Sequence, residues 1–350
     1  MSIYFICPSN TRFMPYLSYY DSALPKSQER RYIIWDRFCD EGKVADKIIY
    51  RDDLKGHQRG VISYIKYMIF LYPQLLKLTS KDRKLVVFGF QNTFFLTPYL
   101  LLTKANYVID IRDYHYLFKL IPSSIFKKAS FVAVSSPAYA KLFKNGVNSV
   151  VCHNLYDYKI KPEADSKHFS KKPIKVSYMG AIRDLSSQKI LINSLSNDKS
   201  FLVSFHGVGD VVPELKSYVS EHNINNVEFT GRYEKEEEYS FYKAASIINI
   251  LKTSSTYNER VALPNRLYSA AFFYRPLLSY KGSTASDIIE EYSLGLCLDP
   301  KQNIRKSVSE YLTNFSFSIF KNNCDRFLEK VRKDQKLFEN NFESFIRHKT

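Results

Sequence analysis

Leu263-Pro264-Asn265-Arg266-Leu267-Tyr268-Ser269-Ala270-Ala271-Phe272-Phe273-Tyr274-Arg275-Pro276-Leu277-Leu278 is the stretch from which the rest of the chain is best read. A polar loop, Thr253–Asn258, leads into it. Pro264 suits a helix start, because its φ is preset and its missing N–H would be unsatisfied there anyway. A short apolar helical run follows, and Arg275-Pro276 ends it ahead of a new strand. Arg266 then falls in the first helical turn, where a cation opposes the macrodipole unless an anion is bound. That misfit makes Arg266 a candidate anion ligand; an exposed surface arginine is the plain alternative.

Outward from this stretch, short apolar runs alternate with helical patterns. In the first half the runs are Ile3–Cys7, Tyr32–Trp35, Lys47–Tyr50, Lys84–Phe88, Tyr107–Ile111, Phe131–Val134 and Ser149–Cys152, with clear helical patterns at Gly60–Leu78 and Thr93–Leu102. In the second half they are Lys175–Met179, Phe201–Phe205, Val227–Phe229, Ser246–Leu251, Pro276–Ser279 and Gly295–Leu298. Such alternation predicts an α/β chain with two mostly parallel, doubly wound, Rossmann-like sheets. Residues 158–174 have linker composition, as in Lys161-Pro162-Glu163-Ala164-Asp165-Ser166-Lys167-His168. The expected domains are 1–165, 166–306 and a tail over 307–350, read as polar amphipathic helices packing back across the domain junction.

Length and composition agree with this. The 350 residues suit two domains better than one core. No run of 18 apolar residues offers a membrane span, and the N-terminal apolar run reads as a buried strand. Five scattered cysteines form no C-x-x-C pair and seven histidines no H-x-x-x-H pair, so no disulfide framework, zinc site or other metal is expected. Free thiols fit a reducing, cytoplasmic setting. The formal charge of +16 calls for an anionic partner. Residues 1–165 hold 24 Lys and Arg against 14 Asp and Glu, an excess of +10, so most of the charge lies in the first half.

An open α/β sheet binds ligands beyond the carboxyl ends of its strands, so strand-end loops supply the candidates. Gly180 and Arg183 follow one strand and precede a helix, where a backbone open to approach and a positive potential suit phosphate; an ordinary turn is the alternative. Gly207-Val208-Gly209 is a fragment of a G-x-G-x-x-G pattern with Val212 at the third glycine, and a tight turn explains it as well. Asp113 and His115 follow Tyr107–Ile111 and could orient or deprotonate an acceptor hydroxyl, or serve as a helix cap and a surface histidine. His153 and Asn154 end the first half and are expected to line a cleft between the halves. Arg59–Lys77, aromatic and apolar with cations nearby, could lie in a membrane interface or form a core helix.

The stretch around Arg266 resembles the P-N-K-L-x-E-x-x-x-x-G-x-P signature of GT-B glycosyltransferases, especially family four (glycosyl transferases group 1). Tyr178-Met179-Gly180 resembles the family's Y-x-G. Val227–Gly231 with Tyr242–Ser246 is similar to its V-x-F-x-G … Y-x-x-A-D, and Phe131–Ser136 with Val151–Asn154 to its V-x-x-V-S … N-G-V-D. These matches run in order over most of residues 1–300.

The resemblance implies a GT-B fold with two domains facing a central cleft. It implies retaining sugar transfer from a nucleotide-sugar, without metal or cofactor, to a glycan or lipid-diphosphate-linked acceptor in surface polysaccharide synthesis. It implies donor binding by Gly180, Arg183, Gly207, Pro264, Asn265, Arg266 and Ser269, with Arg266 in the position of the phosphate-binding lysine. Ser269 stands where the ribose-binding glutamate belongs and Tyr274 where glycine is usual. A serine offers one hydroxyl in place of a carboxylate, so ribose recognition is altered or supplied from elsewhere. An inactive GT-B scaffold and an inverting or glycerophosphate-transferring relative stay open as readings. A nucleic-acid-binding protein fits less well: the aromatic residues sit within apolar runs and no recognition motif is present.

Overall fold

The computed structural model describes residues 2–52, 54, 56, 58–78, 84–143, 145–155, 158, 169, 171–253 and 255–347. Of the linker expected at 158–174, residues 159–168 and 170 lie outside them. By backbone contacts the chain divides into two units, one of residues 1–153 with 333–350 and one of residues 154–332.

The first unit holds seven strands: β1 (Ile3–Cys7), β2 (Arg30–Asp36), β3 (Lys47–Arg51), β4 (Lys84–Phe88), β5 (Asn106–Ile111), β6 (Val132–Val134) and β7 (Ser149–Val151). They pair in parallel in the order β3-β2-β1-β4-β5-β6-β7. Central strands of a parallel sheet are covered on both faces and so read as continuous apolar runs. In β4 all five residues are buried, while the edge strand β3 is only half-buried. Lys84 is buried in β4 and donates to the Ile346 carbonyl at 2.5 Å, a cation placed where helix-end carbonyls lack partners.

The second unit repeats the plan with six strands: β8 (Ile174–Met179), β9 (Phe201–His206), β10 (Val227–Gly231), β11 (Ile247–Asn249), β12 (Leu277–Tyr280) and β13 (Gly295–Leu298). Their order is β10-β9-β8-β11-β12-β13, again parallel throughout. Both sheets thus reverse direction beside their first strand, at β1/β4 and at β8/β11, which is the doubly wound topology expected of the sequence.

The tail forms a helix at Ile304–Thr313 and one 31-residue helix, Phe317–Arg347. The long helix begins in the second unit, where Phe320, Cys324, Phe327, Leu328 and Val331 join the core around Leu267 and Tyr268. It ends in the first unit, where Phe338, Phe342 and Phe345 pack in the core with Ile3 and Tyr20. Tyr20 meets Phe338 and Phe342 edge-on at 5.0 Å each, a favoured aromatic geometry. Its apolar residues enter the cores while its charges lie on the outer face, which is an amphipathic pattern.

Candidate functional site

In the second unit a cavity of about 420 Å³ opens beyond the carboxyl ends of β8 and β11. The crevice beside a topological switch point is where open α/β sheets receive ligands. Three segments build it.

The first is the turn after β8. Gly180 lines the cavity at φ +99°, and a Cβ there would meet nothing within 4 Å. Arg183, exposed, follows on the same rim, and Asp184 caps the helix Leu185–Leu195. Burial alone would raise the Asp184 carboxyl. Hydrogen bonds from Thr253, Ser186 and Ser187 outweigh it and hold the group below its ordinary range.

The second is the turn after β11, with Ile250, Leu251 and Lys252 on the wall. Asn249 fixes it: its Oδ1 accepts from Leu251 N at 2.8 Å and its Nδ2 donates to Gln188 Oε1 at 2.8 Å, both bonds buried. A satisfied buried amide pair of this kind rigidifies what it joins.

The third is the helix Asn265–Phe272, capped by Pro264 without a side-chain hydrogen bond. Its N-terminal turn and positive dipole end lie at the cavity, together with Pro264, Asn265, Arg266 and Ser269. Arg266 Nη1 donates to the Asn249 carbonyl at 2.6 Å, and the guanidinium lies 3.6 Å from the Tyr178 ring centroid. Neither Arg183 nor Arg266 forms an ion pair with a described residue. Ser269, 4 % exposed, shares a 2.7 Å hydrogen bond with the Tyr158 hydroxyl, which donates to Glu238 Oε2 at 2.8 Å.

Four cations, Arg183, Lys235, Lys252 and Arg266, therefore line the cavity against two carboxylates, Glu238 and Glu259. Lys252 pairs with Glu259 at 3.5 Å, and Lys235 with Glu238. The balance of charge favours an anion. Among the described residues no group of three or more His, Cys, Asp or Glu side chains is placed to hold a metal.

The structure thus gathers Gly180, Arg183, Pro264, Asn265, Arg266 and Ser269 around one cavity, and leaves Gly207 outside its lining. Gly207 serves packing: a Cβ there would lie 2.0 Å from the Gly180 carbonyl oxygen. In the first unit Asp113 is exposed beyond β5, and it is His115, not Asp113, that caps the following turn. Leu117 N donates to His115 Nδ1 at 3.3 Å, and burial lowers the imidazole below its usual range. His153 is buried with its Nε2 3.1 Å from Asp334 Oδ2, a contact within its own unit; Asn154, half-buried, begins the other.

Sequence reading missed Glu238, Lys235 and Lys252. The run Glu234-Lys235-Glu236-Glu237-Glu238 reads as a solvated helix start, and its only hint is Tyr242, four residues on and on the same helical face.

No protein-family model matches the chain, and no curated protein matches it in sequence. Solved structures do match it in fold. HepE of Anabaena in complex with UDP superposes with a TM-score of 0.73 at 14% identity, covering 98% of this chain and 100% of that one. The lipopolysaccharide outer core galactosyltransferase WaaB gives 0.69 at 14%, covering 98% and 99%. A glycosyltransferase from Rickettsia africae gives 0.63 at 11%, covering 99% of each. The fold is that of the GT-B glycosyltransferases.

Proposed function

We propose that this chain transfers a sugar from a nucleoside-diphosphate donor to a hydroxyl acceptor, and that the cavity beyond β8 and β11 holds the donor. The observation that carries the reading is the convergence of Arg183, Arg266 and an uncapped helix N-terminus on one cavity at the switch point. As the glycosidic C–O bond breaks, negative charge grows on the leaving diphosphate. Fixed cations and N–H donors aimed at that charge lower the barrier without reorganising. Gly180 leaves its backbone open to the donor. Retention of configuration and independence from metal follow from the family resemblance. HepE bound to UDP makes a uridine donor the first to test.

On the acceptor side we assign Asp113 or His115 to the hydroxyl, and a glycan or lipid-diphosphate-linked acceptor to the chain. Membrane association is supported by the helix Val61–Leu76, whose Val61, Ile62, Ile65, Ile69 and Leu76 are exposed beside the exposed Lys66 and Lys77. Among the described residues no helix is long and apolar enough to cross a membrane, so contact would be with the surface. Surface-polysaccharide synthesis is the setting that such an acceptor implies.

The test is thermal stabilisation by UDP, GDP, ADP and CDP, followed by turnover of the matching nucleotide-sugars. Stabilisation by none of the four sinks the proposal. A catalytically inactive scaffold is the second reading, favoured by Ser269 in the glutamate position; binding without turnover of any sugar would select it.

A further inference from the structure

Glu238 is the one carboxylate of the cavity that is deeply set. Glu259 belongs to an exposed capping box with Thr256 and is bonded to Ser255 and Lys252. The Glu238 side chain is only 9 % exposed, and it receives hydrogen bonds from Tyr158, Tyr233 and Lys235. A carboxylate accepts about four hydrogen bonds, so these three leave capacity on a group that lines the cavity.

Beside it, Tyr242 also lines the cavity, and its hydroxyl is fully buried. That hydroxyl lies near Ser269 yet makes no hydrogen bond of ordinary geometry to any described residue. Buried polar groups are nearly always satisfied, so an orphan hydroxyl in a cavity wall asks for a ligand atom.

We propose that Glu238 and Tyr242 form the ribose subsite of the cavity. This rests on the nucleotide reading given above. The carboxylate accepts hydrogen bonds from the vicinal 2′- and 3′-hydroxyls, and the Tyr242 hydroxyl pairs with one of their oxygens. Ser269 and Tyr158 hold the carboxylate in position from behind, since a single tyrosine hydroxyl bridges Ser269 Oγ and Glu238 Oε2. The location suits the ligand. Ser269 lies three residues past Arg266, about 4.5 Å further along the helix axis, and ribose follows phosphate in a nucleotide at a spacing of that order. The negative charge that the 263–278 stretch lacks at Ser269 is thus supplied by a different helix, Glu238–Ala244. The consequence is selectivity for ribonucleotides over 2′-deoxyribonucleotides.

Calorimetric titration tests it, with whichever of UDP, GDP, ADP and CDP binds tightest and with its 2′-deoxy counterpart. The intact protein should prefer the ribonucleotide roughly tenfold or more, the worth of hydrogen bonds to a charged acceptor. In Glu238→Gln and Tyr242→Phe the preference should collapse to about threefold or less, while Arg266→Ala weakens both ligands alike. A Glu238→Gln protein that keeps the preference, or loses both ligands equally, overturns the subsite. Should Glu238→Gln fail to fold, Tyr242→Phe removes a single atom and carries the same comparison. An intact protein that binds none of the four diphosphates overturns the nucleotide reading itself, a different failure from a lost preference.

Discussion

The Arg266 guanidinium lies 3.6 Å from the centroid of the Tyr178 ring while its Nη1 donates to the Asn249 carbonyl at 2.6 Å. Tyr178 belongs to β8 and Asn249 to β11, so one side chain is held by the two strands that flank the switch point. A planar guanidinium can stack and donate at once, with N–H groups left for a phosphate; an ammonium cannot. Arg266→Ala should therefore cut turnover at least about tenfold with the melting temperature little changed, and Arg266→Lys should recover only part of it. Steady-state kinetics with the matching nucleotide-sugar decides, and unchanged kcat/KM in the alanine variant would refute the phosphate role.

Three glycines near β8 separate folding from binding. Cβ atoms at Gly207 and Gly209 would lie 2.0 Å from the Gly180 oxygen and 1.9 Å from the Ile182 oxygen. Backbone oxygens cannot retreat cheaply, so Gly207→Ala and Gly209→Ala should each destabilise by about 2 kcal/mol or more. Gly180→Ala meets open space and carries only the strain of φ +99°, about 1 kcal/mol. Its methyl enters the cavity instead, so nucleotide affinity should fall more than stability does. Melting curves beside binding titrations on the three variants check both halves.

The thirteen strands among the described residues were legible, because the central ones are buried apolar runs of parallel sheets and the half-buried edge strands, such as β3 and β10, still carry short apolar runs between charged or turn residues. Their ends were less so. The run Tyr32–Trp35 becomes Arg30–Asp36, since ladder hydrogen bonds continue into charged residues whose side chains find local partners; Asp36, buried, is held by Asn10 and Arg51. The same blindness hid Glu238, whose hydrogen-bond partner Tyr158 lies eighty residues earlier. Arg59 misleads in the opposite sense. Read as a cation beside a membrane helix, its guanidinium is buried and bonded to Asp52 and to the carbonyls of Arg37, Leu54, Gly56 and Gln58. Arg266 and Gly180 stood out by local rules of helix starts and strand ends, whereas Ser269 was singled out only by the resemblance to the family signature.

His206 gives the second unit a pH dependence. It ends β9 with its ring stacked on Phe241 at 4.0 Å and its Nδ1 3.0 Å from Thr230 Oγ1. Burial, and then the nearby Lys175, push the imidazole down to about 4, against a smaller opposing effect of Glu228. Above the unfolded value of about 6.5 both states hold a neutral ring and nothing changes. Between there and about 4 the unfolded chain takes up a proton that the folded one refuses, so stability falls as pH falls. Denaturant midpoints between pH 7 and 4 should drop less in His206→Gln than in the intact protein; equal slopes would count against the buried neutral ring.

The exposed face of the helix Val61–Leu76 yields a prediction about surfaces. Ile62 and Ile69 are 73 % and 69 % exposed, while Tyr67, Met68, Leu71 and Leu75 on the opposite side are buried. A core helix has no need of the outward isoleucines, whereas a bilayer interface would bury them, with Lys66 and Lys77 meeting anionic headgroups. Replacing Ile62 and Ile69 together by Asn should leave the melting temperature unchanged, because neither supports the core. The same change should abolish flotation with vesicles rich in phosphatidylglycerol. Binding by the intact protein should weaken as salt is raised from 0.1 M toward 1 M, where the screening length contracts from about 10 Å to about 3 Å. Binding that ignores both the isoleucines and the salt would show that this face has some other use.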